Sequence, residues 1–225
     1  GSPVETPWAE KTAAVLEMYL GGQGVGEACD RILYGEVNPS GRLAETFPLR
    51  LEDSPCYLYY PGDGKKAVYG EEIFVGYRYY DTKKIPVRWA FGHGKSYTTF
   101  EYSDLQVSPK VITPNQKVTV TCKVTNTGKR AGDEVVQLYL RDVVSSLTTY
   151  EKNLVGFERL HLKPGETKEV RFMLDRKDME LLNAKNDWVV EPGEFRVMAG
   201  ASSEDIRLSD KFAVVEYGMN GVWSE

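Results

Sequence analysis

The sequence of 225 residues predicts a chain of two parts: residues 1–97 as a partial α/β sandwich, a strand-helix unit with long loops, then an antiparallel β-sandwich. Three observations predict it. From residue 117 onward, apolar residues recur with a period of two in short runs separated by turn signals. Between residues 9 and 34 they recur at three-to-four spacing. The stretch between is loop-rich and dense in tyrosine.

The sandwich is the most legible part. In Lys117–Asn126, Val118, Val120, Cys122 and Val124 alternate with Lys117, Thr119, Thr121, Lys123 and Thr125, which is the pattern of a half-buried antiparallel strand. Val135–Leu140, Lys168–Leu174, Glu194–Ala199 and Lys211–Val215 repeat it. Asn126-Thr127-Gly128, Lys163-Pro164-Gly165 and Glu191-Pro192-Gly193 supply turns. Several short strands so punctuated predict a sandwich of immunoglobulin or fibronectin type III kind, spanning residues 98–217 and followed by a tail over 218–225. Trp188 is expected to fill its core, and His161 to lie in a strand without a ligand role.

Residues 9–34 read as two short helices interrupted at Gly21-Gly22, with Trp8 stapling the first to a sheet. Two helices and a long loop do not close a core by themselves. Gly1-Ser2-Pro3 followed by a helix reads as the carboxyl end of a parallel strand opening onto its crossover helix. The rest of that sheet is expected elsewhere in a longer polypeptide, or on a second chain.

A net charge of −5, from 28 basic against 33 acidic residues, leaves no basic face for nucleic acid. The longest apolar runs, such as Phe212–Val215, fall far short of the ~20 residues that cross a membrane. No signal peptide is visible at the start. Cys29, Cys56 and Cys122 are odd in number and lack CxxC spacing, and His93 and His161 stand far apart, so no metal, cofactor or disulfide framework is expected. Buried free thiols and a reducing compartment, a bacterial cytoplasm, are the expectation.

Specific motifs begin at Asn38-Pro39-Ser40-Gly41-Arg42-Leu43-Ala44-Glu45-Thr46-Phe47-Pro48, which resembles the NPSGRLPxTFP signature of family 3 glycoside hydrolases, the β-glucosidase family. Upstream, Leu20–Gly26 resembles the PGQEGG-type turn, and Ile32–Val37 resembles VLFGDV. Downstream, Tyr69–Asp81 resembles YGEGIFVGYRYYD, and Phe91–Phe100 resembles FGHGLSYTTF. Gly132–Leu140, Leu154–Leu160 and Leu162–Glu166 resemble the fibronectin type III-like domain that follows. Arg88-Trp89-Ala90, Lys95 and Glu72 depart from the usual aliphatic-Phe-Pro, Leu and Gly.

The resemblance implies a parent with a (β/α) barrel, an α/β sandwich and a fibronectin-like domain, of which this chain matches the end of the second and all of the third. It implies a retaining mechanism, with two carboxylates about 5 to 5.5 Å apart. In the family the nucleophile is an Asp on the barrel and the acid/base usually a Glu upstream of the NPSG signature. Neither position is matched, so the chain holds no catalytic residue and is expected to be inactive alone. The expected partners are the catalytic half, on either side of this segment or as a second chain, a β-glucoside or short oligosaccharide, and, in a homo-oligomer, another copy of the chain.

Adjacent Glu71 and Glu72 point to opposite faces if extended, so they cannot flank one glycosidic bond; a structural pairing with Arg78 is expected. Tyr60 and Tyr69 flank a turn-rich loop and are candidates for stacking on a sugar, with packing between domains as the alternative. Arg141, Ser145 and Tyr150, in a long polar connection of the sandwich, are candidates for substrate-proximal contacts, with domain docking as the alternative. His93, between two glycines, reads as structural. A second reading of the whole chain is a stand-alone carbohydrate- or protein-binding β-sandwich module.

Overall fold

A computed structural model describes residues 1–216; the expected tail over 218–225 lies outside the described residues. In chain order the elements are α1 (Val25–Leu33), β1 (Phe47–Pro48), α2 (Tyr77–Lys83), β2 (Val87–Trp89), β3 (Phe100–Ser108), β4 (Val111–Ile112), β5 (Val118–Asn126) and β6 (Gly132–Asp142). There follow β7 (Asn153–Leu162), β8 (Thr167–Leu174), α3 (Arg176–Met179), β9 (Leu181–Leu182), β10 (Trp188–Val189), β11 (Gly193–Gly200) and β12 (Ile206–Val214).

Two sheets face each other. One has the order β3-β5-β8 and the other β4-β12-β11-β6-β7, antiparallel throughout except for the β4–β12 pair. The period-two pattern is realised in β5, where Val118, Val120, Cys122 and Val124 are buried and point into the core. Opposite them, β6 contributes Val136, Leu138 and Leu140, and β11 and β12 contribute Phe195 and Phe212, stacked at 5.4 Å.

Strand β6 departs from simple alternation. Gln137 and Tyr139, on its other face, are also buried, because residues 77–97 lie across that face. The five-stranded sheet is thus covered on both sides over this strand.

Five expectations are corrected. The first helix is absent: Pro7–Lys11 forms a single 3₁₀ turn and residues 12–19 have no regular structure. The cause is the missing partner for its apolar stripe, since Leu20 is 88% exposed, and a short helix with nothing to pack on does not offset its nucleation cost. Trp8 is accordingly exposed on that turn and staples no sheet, and Gly1-Ser2-Pro3 is not a strand. Trp188 does not fill the core: β10 pairs only with β9, as a ribbon outside the two sheets, and its indole is 59% exposed. Of the thiols, all free, only Cys122 is buried; Cys56 is exposed.

Candidate functional site at the junction

The signature segments converge on the sandwich. Leu43 and the Phe91–Gly94 turn exchange backbone bonds, Leu43 N to His93 O at 2.9 Å and Gly92 N to Leu43 O at 2.7 Å. Gly92 has φ +80, and a Cβ there would lie 2.2 Å from Gln137 Oε1, so both its backbone and its neighbour require glycine. Gln137 donates to Gly92 O and Ala201 O and accepts from the Tyr139 hydroxyl.

Asn38 closes one side of this clasp. Its Oδ1 accepts from Ser96 Oγ (3.0 Å) and Tyr97 N (2.7 Å), and its Nδ2 donates to Ala131 O. Ser40 Oγ accepts from Arg159. Arg42 enters the end of the core, where its Nη2 lies 2.8 Å from Glu134 Oε2, with side chains 9% and 2% exposed. Tyr102 donates to the other Glu134 oxygen at 2.8 Å, and Arg207 lies over the Tyr102 ring. Burial pushes the Glu134 carboxyl up against the opposing pull of Arg42 and Tyr102. Arg42 Nε and Nη1 are buried without a partner among the described residues.

Helix α2, from the GYRYYD stretch, forms a second clasp. Tyr77 stacks on Phe91 at 4.6 Å, and its hydroxyl accepts from Leu154 N. Arg78 donates to Asn153 Oδ1 (2.7 Å) and lies over the Tyr150 ring; the pairing with Glu71 or Glu72 expected from the sequence does not form among the described residues. Thr82 Oγ1 accepts from Glu151 N, and Lys152 Nζ lies 3.0 Å from the buried Asp81 carboxylate, an ion pair off hydrogen-bond geometry. Burial raises Asp81, with Lys152 opposing.

The two glutamates sit in a turn. Glu72 has φ +52, the left-handed region that suits the glycine common at this place in the family, and one oxygen of Glu71 is buried without a partner among the described residues. Departures elsewhere are absorbed: Trp89 meets Phe47 edge-on at 5.6 Å, and Ala90 is buried.

The remaining candidates fall into two groups. Tyr60 and Tyr69 are both exposed, on one loop. Arg141 bonds Glu151 at 2.5 Å, Ser145 Oγ accepts weakly from Leu147 N, and Tyr150 is held by Arg78. No hydrogen bond or ion pair among the described residues joins the groups. Near Tyr150 a shallow cavity is lined by Asp142, Thr149, Asn153 and Phe195. There burial, then Glu191, pushes Asp142 up to about 6.

His93 contributes backbone bonds, burial lowering its imidazole, and His161 on β7 bonds Asp133 at 2.6 Å. No group of three metal-ligating side chains is assembled among the described residues, and none of their helices is long and apolar enough to cross a membrane.

Sequence reasoning missed Asn38, Arg42, Glu134, Asp81 and Lys152 as a set. One signal was readable: Glu134 shares its parity with Val136, Leu138 and Leu140, so a carboxylate occupies a core register and demands a buried cation.

This arrangement, a sandwich clasped by two signature segments, is that of the C-terminal portion of family 3 glycoside hydrolases, to which the chain belongs. Residues 1–77 match the glycosyl hydrolase family 3 C-terminal domain, and residues 134–203 match the fibronectin type III-like domain.

Among relatives, the thermostable β-glucosidase B of Acetivibrio thermocellus is 53% identical over 215 residues, which is 95% of this chain and 28% of that protein. The β-glucosidase of Kluyveromyces marxianus in complex with glucose superposes with a TM-score of 0.88 at 41% identity, over 95% of this chain and 26% of that one. β-Glucosidase 3B from Thermotoga neapolitana, in complex with α-D-glucose, gives 0.89 at 40% identity, over 95% and 30%. The chain therefore spans between a quarter and a third of the length of these relatives. They come from bacteria and fungi alike, so the likeness does not single out a bacterial source.

Proposed function

We propose that this chain is the C-terminal part of a retaining β-glucosidase that removes terminal non-reducing β-D-glucosyl residues, and that it supplies bracing and part of the active-site wall. The observation that carries this reading is the use made of the signature residues. Asn38, Arg42, Tyr77, Arg78 and Asp81 are all spent on holding the 36–48 and 77–97 segments against the sandwich.

The buried carboxylates are committed in the same way. Glu134 and Asp81 each face a cation, so neither is a free general acid. Asp142 is raised to about 6 by burial and by Glu191, and Glu191 itself accepts two bonds from Ser146. The nucleophile and acid/base are therefore assigned to polypeptide that this chain does not span. Tyr60 and Tyr69 remain free to meet a sugar, while Arg141 and Tyr150 are engaged internally; with Ser145 they form the proposed substrate-proximal set.

Hydrolysis of an aryl β-glucoside tests this. The chain alone is expected to release no aglycone, and a relative-length protein containing it is expected to do so. Turnover by the chain alone, abolished by Asp142→Asn, would overturn the reading.

A further inference from the structure

Asp81 and Lys152 meet where three pieces of the chain converge: the last turn of α2, the residues leading into β7, and the turn that joins β11 to β12. Each piece is fixed from outside the pair. Thr82 Oγ1 accepts from Glu151 N at 2.9 Å, which sets the approach of Lys152, and Ser203 N donates to Phe91 O at 2.9 Å, which holds the β11–β12 turn in place. The side chains of Asp81 and Lys152 are 5% and 11% exposed, and Ser203 is buried.

The pair is not closed on itself. Nζ lies 3.0 Å from Oδ2 but off the direction of a hydrogen bond, and among the described residues Oδ2 accepts no other bond and Nζ donates none elsewhere. Ser203 Oγ reaches the other carboxylate oxygen only at 3.5 Å, the outer limit of a bond. Two charged groups buried this deeply offset their desolvation through well-aligned bonds. Here that alignment is incomplete, beside a cavity of about 560 Å³ that both side chains line.

The rest of the lining selects the ligand. Lys84 and Glu204 stand around the cavity with Asp81 and Lys152, two charges of each sign, so it favours neither an anion nor a cation. Ile85, Pro86 and Ile206 give it an apolar wall. Neighbouring groups that donate and accept, set beside an apolar wall, complement a neutral molecule with vicinal hydroxyls on a carbon frame. One hydroxyl accepts from Nζ, the next donates to the carboxylate, and the C–H groups lie on the wall.

We propose that the cavity between α2 and the β11–β12 turn binds the vicinal hydroxyls of a neutral polyol, as a monosaccharide or an open-chain alditol presents them, through Asp81 and Lys152. Every group that lines it belongs to this chain, so the site does not depend on the β-glucosidase reading.

Isotope-labelled chain titrated with glucose and, separately, with sorbitol tests this, with backbone amide shifts followed by NMR. Shifts are expected to saturate and to centre on Asp81, Lys152 and Ser203; saturation there by either probe supports the proposal, and the tighter of the two tells ring from open chain. Tetrahydropyran, which has the ring without hydroxyls, is expected to leave those amides unmoved. Asp81→Asn with Lys152→Gln keeps the shape and removes both charges, and is expected to weaken binding by about tenfold or more. Because that variant also alters the clasp, Ile206→Trp serves beside it: it fills the cavity, leaves the pair intact, and is expected to abolish saturation while the spectrum away from the cavity is retained.

The absence of saturable shifts up to the highest soluble concentration overturns the proposal, as do shifts centred instead on Tyr60 and Tyr69, an equal response to tetrahydropyran, or equal binding by both variants. Tighter binding of gluconate or glucosamine than of glucose overturns it too, since a charged ligand is then the better fit.

Discussion

Arg42 and Glu134 stand 92 residues apart and form an ion pair 2.8 Å long, sealed from water at the end of the sandwich core. The pair joins the NPSGR segment to β6, so an arginine of the family signature acts as a tertiary pin. Removing one partner of such a pair strands a buried charge, whereas removing both need not.

Arg42→Ala is accordingly expected to destabilise the chain by about 3 to 5 kcal/mol in urea unfolding. The double variant Arg42→Met with Glu134→Leu is expected to recover most of that loss. Equal instability of single and double variants would show that the pair contributes nothing beyond shape.

Asp142 gives a pH prediction. Its carboxyl is raised from 3.8 to about 6 in the folded chain by burial and by Glu191, so the folded state holds that proton more tightly than the unfolded state does. Stability at this site is then gained as pH falls through about 6 toward the unfolded value, and lost as pH rises. Asp142→Asn is expected to be more stable than the wild type at pH 7, and the gap is expected to close by about pH 4 in urea midpoints measured across that window.

Glu72 holds a left-handed backbone at φ +52, which costs a side-chain-bearing residue roughly 1 kcal/mol. Glu72→Gly is expected to raise stability by up to about 1 kcal/mol, less the added entropy of the unfolded chain. By contrast, Gly92→Ala is expected to cost about 2 kcal/mol or more, since it meets both a positive φ and the buried Gln137 amide. Thermal unfolding of the two variants in opposite directions checks both.

A boundary at residues 97 and 98 separates the two sequence patterns, but the bonds cross it. A fragment of residues 98–216 uncovers Gln137, Tyr139 and Glu134 and is expected to bind a hydrophobic dye and unfold at lower denaturant. One of residues 36–216 keeps both clasps and is expected to unfold as a single cooperative unit. Equal stability of the two fragments would place the folding boundary at residue 97 after all.

The sequence by itself determined the sandwich, because alternation in β5, β8, β11 and β12 is a local property that each strand carries in its own side chains. It also determined the family, through motifs whose order is written along the chain. What only the tertiary structure decided depends on partners far away in sequence. The apolar spacing of residues 9–20 was readable, but a helix there needs a surface to pack on, and none covers it among the described residues. Trp188 carries the size of a core residue, but β9 draws its strand out to the rim. Asn38, Arg42 and Arg78 were visible as letters of a signature; that they clasp two segments to a sandwich follows from burial and from hydrogen bonds across 58 to 93 residues, which no local pattern encodes.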